Sequence, residues 1–274
     1  MDWREAGERL RAPVFAPLAP ALERLPRDRW PTHADLNTLA AGIRTARGMP
    51  VRFVPPRPAA GRERRPYELH IAATGEVETR PANWHDLFNA LAWVAYPRAK
   101  ARINEQHAAL LEARGESESR RRSPERDALT LFDEGGVAVA SSDASLLRLI
   151  VDFEWKTLFW QRRGDVLARM RFFAFGHACH EQSLAPYLGM VAKTVLVPVE
   201  ESFLALPPAR QVAAVDERLA AHFADPARFP SPRALPPMPV LGIPGWHPGN
   251  QAEAFYDDAD HFRSKPRARK VLRK

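Results

Sequence analysis

Apolar residues recur at helical spacing along most of the chain. Leu10, Val14, Phe15, Leu18 and Leu22, then Leu36, Leu39, Ala40 and Ile43, predict short helices within residues 1–48, the second capped by Thr32 or Asp35. Val51 to Val54 and Tyr67 to Ala73 have strand character and are separated by a loop rich in proline and arginine. Trp84, Leu87, Phe88, Leu91 and Ala95 then form the stripe of a long helix, which Pro97 splits before it ends near Arg114. A mixed-charge stretch from Arg114 to Arg126 reads as a surface loop.

Ala128 to Phe132 and Val137 to Ala140, joined by Asp133-Glu134-Gly135-Gly136, predict a hairpin over residues 128–140. Ser142 or Asp143 opens a helix bearing Leu146, Leu147, Ile150 and Leu158. A second long helix is expected from about Gly164 to Leu184. Thr194 to Val199 reads as a strand, and Pro208 to Phe223 as a helix turning Val212, Val215, Leu219 and Phe223 inward. The sum is an α+β fold, a mostly helical single domain over residues 1–262 with a small sheet.

Composition alters this picture in three places. The 26 prolines are concentrated, with five between Pro50 and Pro66 and eight between Pro226 and Pro248. Both segments also hold apolar residues, such as Phe53 and Ile243, so they should wrap a core as extended chain. The net charge of +7 belongs to the end of the chain: residues 263–274 carry seven bases and no acid, while the other 33 bases balance 33 acids. That points to a basic, flexible tail rather than a charged groove on the body. One cysteine, Cys179, allows no internal disulfide and reads as a buried thiol. No apolar run is long enough for a membrane span and no leader pattern stands at the start, so a cytoplasmic place is expected.

The chemistry-bearing residues fall in two clusters. On the expected helix from Gly164 to Leu184 the inward stripe runs Leu167, Met170, Ala174, His177, Glu181, Leu184, which puts an imidazole and a carboxylate at core positions one turn apart. Their burial requires a partner from another element. At the start of the helix near Trp84, Asn83 and Asp86 match an N-cap and its N3 residue, while His85 and Asn89, four apart, have no capping role. Lys100, Asn104 and His107 share one face and read as solvated. Asp133 and Glu134 read as turn residues, and Arg163-Gly164-Asp165 as a helix start.

Several strings together resemble a known family. They are Thr79-Arg80-Pro81-Ala82-Asn83-Trp84-His85-Asp86-Leu87-Phe88-Asn89-Ala90, Arg126-Asp127-Ala128-Leu129-Thr130-Leu131-Phe132-Asp133-Glu134, Phe175-Gly176-His177 and Pro239-Val240-Leu241-Gly242-Ile243-Pro244-Gly245-Trp246. From about Tyr67 to Arg263 the chain is similar to the bacterial family named domain of unknown function 3025. The resemblance implies one family domain over that span and brings no reaction or site with it.

The functional expectation therefore rests on the residues themselves. It is an enzyme, a metal-assisted hydrolase, whose site forms where His85, Asp86 and Asn89 meet His177 and Glu181. In this scheme His85, His177 and Glu181 hold a divalent metal or form the acid/base pair, and Asn89 orients a small-molecule substrate. The alternative is a module without activity that binds nucleic acid or another acidic partner through Arg263–Lys274. A third reading makes the Pro226–Pro248 segment a docking surface for a protein partner.

Overall fold

A computed structural model describes residues 1–57, 65–115 and 122–265. The chain starts with 3-10 turns at Arg4–Ala6, Arg9–Arg11 and Pro13–Leu18, whose buried Trp3, Leu10, Val14, Phe15 and Leu18 form one wall of a core. Helix α1 (His33–Leu39) follows a complete capping box, in which Thr32 accepts from the Asp35 amide and Asp35 accepts from that of Thr32. Strands β1 (Arg52–Val54) and β2 (Glu76–Glu78) pair in parallel. Asn37 holds β1 to α1 by exchanging two bonds with the Phe53 backbone.

Between these strands lies α2 (Tyr67–Thr74), where a strand was expected. Its end explains the difference: Gly75 at φ +75° supplies the left-handed C-cap, and its amide bonds to the Ile71 carbonyl. Helix α3 (Trp84–Ala95) stops at Tyr96, and Pro97 starts α4 (Pro97–Arg114) as a separate helix. Helix α5 (Pro124–Gly135) takes the first arm of the expected hairpin. Ser123 caps it and Pro124 starts it, so Ala128, Leu129 and Phe132 are buried at helical spacing.

The second arm is a strand. β3 (Gly136–Ser141) is buried along its length and finds its antiparallel partner in β4 (Met170–Ala174), with Val139 opposite Phe172. β3 also pairs in parallel with β5 (Val191–Pro198), and β6 (Pro237–Pro239) closes the sheet in the order β4-β3-β5-β6. The expected helix from Gly164 to Leu184 is thus three pieces: α7 (Arg163–Arg169), β4, and α8 (His177–Gln182). Leu167, assigned to the inward stripe, is 58% exposed. Helix α6 (Ala144–Asp152), capped by Asp143, stops short of the expected Leu158 because Phe153 takes a left-handed C-cap at φ +62°. Leu158 falls in a separate turn, Thr157–Gln161, whereas helix α9 (Pro208–His222) stands as expected.

Period-two alternation divides the sheet between two cores. Ala138 and Ala140 face Tyr96, Leu129, Phe132, Leu219 and Phe223, whereas Val137 and Val139 face Leu146, Ile150, Phe159 and Tyr256. Each buried aromatic or branched side chain contributes about 1.5–3 kcal/mol. The 226–248 segment does wrap the core, burying Leu235, Met238, Val240, Leu241 and Ile243. The end of the described chain is docked: Trp155 donates its indole N–H to the Arg263 carbonyl, and Lys265 pairs with Asp152 at 2.9 Å. The rest of the expected basic tail, residues 266–274, lies outside the described residues, as do residues 116–121 of the charged loop. Among the described residues no helix is long and apolar enough to cross a membrane.

Candidate functional site

Five helices, α2, α3, α4, α5 and α8, and one glycine crossing bring the site together. Asn83 caps α3 by accepting from the Asp86 amide at 3.0 Å. The Asp86 carboxylate does not return to the cap. It accepts from the Arg80 backbone amide at 2.6 Å and from the guanidinium at 2.9 Å, so burial raises the acid less than Arg80 lowers it. Helix α4 is anchored at its own start by Asp216 of α9, which accepts from the Arg98 and Ala99 amides at 3.1 and 2.8 Å. That anchor fixes the rotation of α4 and turns Lys100 inward one residue later.

At Gly176 the backbone entering α8 crosses the end of α5. A Cβ there would sit 2.3 Å from the Glu134 carbonyl, and the Phe175 and Gly176 amides both bond to the Gly136 carbonyl. The crossing sets His177 beside Asp133, with 3.8 Å between Nδ1 and Oδ2.

The walls so formed enclose a cavity of about 550 Å³, lined among others by Tyr67, Glu68, His85, Asn89, Lys100 and His177. His85 Nδ1 lies 2.9 Å from Glu181 Oε2. A carboxylate can only accept, so Nδ1 carries the proton and Nε2 is the basic atom of this imidazole. The His85 and His177 rings meet edge to face, 4.4 Å between centroids and 83° between planes. His177 is 7% exposed, its Nδ1 has no hydrogen-bond partner, and burial pushes it down to about 4, so it is neutral at physiological pH.

Deeper in, Lys100 Nζ is paired. It donates to Asn89 Oδ1 at 2.9 Å and to both oxygens of Asp133 at 2.6 and 2.9 Å. Burial works to raise Asp133, but Lys100 outweighs it and holds the carboxyl below its usual value. Asn89 in turn donates to the Tyr67 hydroxyl at 3.4 Å. Beyond them Asn104 donates to the Glu68 side chain at 2.6 Å, and His107 accepts from Arg126 Nε at 3.4 Å. Burial, then the nearby Asp133 charge, pushes the Glu68 carboxyl up to about 7.

A match to the family model described as "Protein of unknown function (DUF3025)" spans residues 51–266. The chain belongs to this family. No curated protein and no solved structure matches the DUF3025 chain. The family span contains every cavity residue named above, whereas Phe15, which packs on α3 and α8 behind them, lies before it.

The structure thus brings His85, Asp86, Asn89 and His177 to one cavity, with Glu181 behind His85. It does not make them a metal centre. Among the described residues no three His, Cys, Asp or Glu side chains are grouped to hold an ion, which overturns the expected divalent metal and the metal-assisted hydrolase. The reason is geometric: Glu181 is engaged at His85 Nδ1, and the two imidazoles present their in-plane lone pairs in nearly perpendicular planes.

Two further expectations are corrected. Lys100, Asn104 and His107 are 3–4% exposed and face the cavity rather than solvent, because α2 and α5 cover that side of α4. Asp133 is not a turn residue but the buried partner of Lys100 on α5. Their i, i+4, i+7 spacing was the available signal, and a polar stripe on a helix reads the same over water and over a polar cavity. Cys179 is buried, as expected, and burial pushes its thiol up to about 12.

Proposed function

We propose that this DUF3025 domain binds a small polar molecule in the cavity and that His85 exchanges a proton with it. The observation that carries the reading is the bond from His85 Nδ1 to Glu181 at the wall of a polar cavity. A carboxylate on one nitrogen fixes the tautomer, leaves the other nitrogen as a base, and stabilises the imidazolium once the proton has moved. Asn89 and His177, on the same wall, would orient the molecule. A cytoplasmic place suits a chain whose lone cysteine is a buried free thiol.

The test is solvent-proton exchange. A mixture of polar metabolites is incubated with the protein in deuterated buffer and followed by NMR. One compound is expected to take up deuterium or be converted with the wild-type protein and not with His85→Gln. Failure of every compound to change, or equal behaviour of His85→Gln, overturns the reading.

A further inference from the structure

Lys100 is paired with both oxygens of Asp133 and donates to Asn89 as well, and Arg80 is held by Asp86. These two cations are therefore already paired with the protein's own acceptors. The reverse holds at Glu68 and Asn104. Asn104 Nδ2 donates to the Glu68 backbone carbonyl at 3.0 Å and to Glu68 Oε2 at 2.6 Å. The backbone carbonyl can only accept, so the amide nitrogen must face it and Oδ1 must face away. Glu68 Oε1 and Asn104 Oδ1 accept no hydrogen bond among the described residues, and both side chains line the cavity.

Two acceptors on bonded neighbours, one of them a carboxylate, match a group with several N–H donors. Asn104 is 3% exposed, so its orientation is fixed by packing. The Tyr67 hydroxyl accepts from Asn89 and keeps its own proton as a donor on the same wall. An ammonium placed at Glu68 would also relieve the repulsion that Asp133 exerts on that carboxylate.

We infer that the molecule bound in this cavity carries a protonated amino group, received by Glu68 Oε1 and Asn104 Oδ1. The inference rests on the reading that the cavity is the ligand site, and it adds the ligand's chemical class.

Propylamine is the probe, with propan-1-ol and propanoate as neutral and anionic controls of the same length. Each is titrated to about 50 mM at constant ionic strength, where a Kd in the millimolar range is readable. The signal is the side-chain amide pair of Asn104 in the ¹H–¹⁵N spectrum. Propylamine is expected to shift this pair saturably, the two controls are not, and Glu68→Gln should weaken the amine about tenfold or more. The comparison of three probes on the wild-type protein stands even if Glu68→Gln folds poorly. Saturation by propanoate alone would overturn the amine class while leaving the cavity as a ligand site. Saturation by none overturns the inference, and the deuterium exchange at His85 then reports separately on the proton-transfer reading.

Discussion

Lys100 and Asp133 form a nearly buried ion pair, 2.6 Å from Nζ to Oδ1, that joins α4 to α5 at the floor of the cavity. Lys100→Met leaves the Asp133 carboxylate without its counter-charge in a desolvated place. The expected loss is about 3 kcal/mol in urea denaturation. Lys100→Met combined with Asp133→Leu should recover more than half of it, because no charge is then left unpaired. Equal losses in the single and double variants would show that packing, not charge, decides the effect.

Acidity is predicted to act through buried imidazoles. Burial pushes His107, His177 and His222 down to about 4 and His180 to about 3, from 6.5. The unfolded chain then takes up protons that the folded chain refuses, so stability should fall as pH drops from about 6.5 toward 4. Glu68 has the opposite sense. Raised from 4.5 to about 7, its contribution is fully present below 4.5 and is lost as pH rises through 7. Urea midpoints of Glu68→Gln should therefore gain on the wild type between pH 4.5 and 8, and a constant difference would contradict this.

Asn83 sets the start of α3 and with it the place of His85. Asn83→Ala should cost about 1 kcal/mol of stability. A second readout concerns the tautomer: long-range ¹H–¹⁵N correlations should show neutral His85 protonated on Nδ1, and Glu181→Ala should abolish that preference.

Residues 1–50 precede the family span, yet Phe15 is fully buried and stacks on Phe88 and His180 at 5.5 and 5.7 Å. We propose that residues 1–262 unfold as one unit. A chain begun at Val51 should lack a cooperative melt and bind a hydrophobic dye, whereas the whole chain should melt in a single transition. Two separated transitions for the whole chain would refute this.

Helices with an apolar stripe or a side-chain cap were legible: Asn83 for α3, Asp143 for α6, and Val215, Leu219 and Phe223 for α9. Short elements were less so. Met170 and Ala174 continue a helical period by chance, but the open edge of β3 offers backbone partners to that segment and wins. Asp-Glu-Gly-Gly looks like a hairpin turn, although Pro124 and its Ser123 cap commit the preceding residues to a helix. At the site, His85, Asn89, His177 and Glu181 were found from spacing. Lys100 and Asp133 were not placed there, because their partnership spans 33 residues and exists only once α4 and α5 pack.

The crossing at Gly176 carries a mechanical consequence. With no side chain between the two backbones, there is no compliant layer to absorb a push, and tightly packed interiors pass displacement on. A molecule pressing on Asp133 would carry the end of α5 and the base of α8 together, so His177 and, one turn further, Glu181 would travel with it and re-aim His85 in the same stroke.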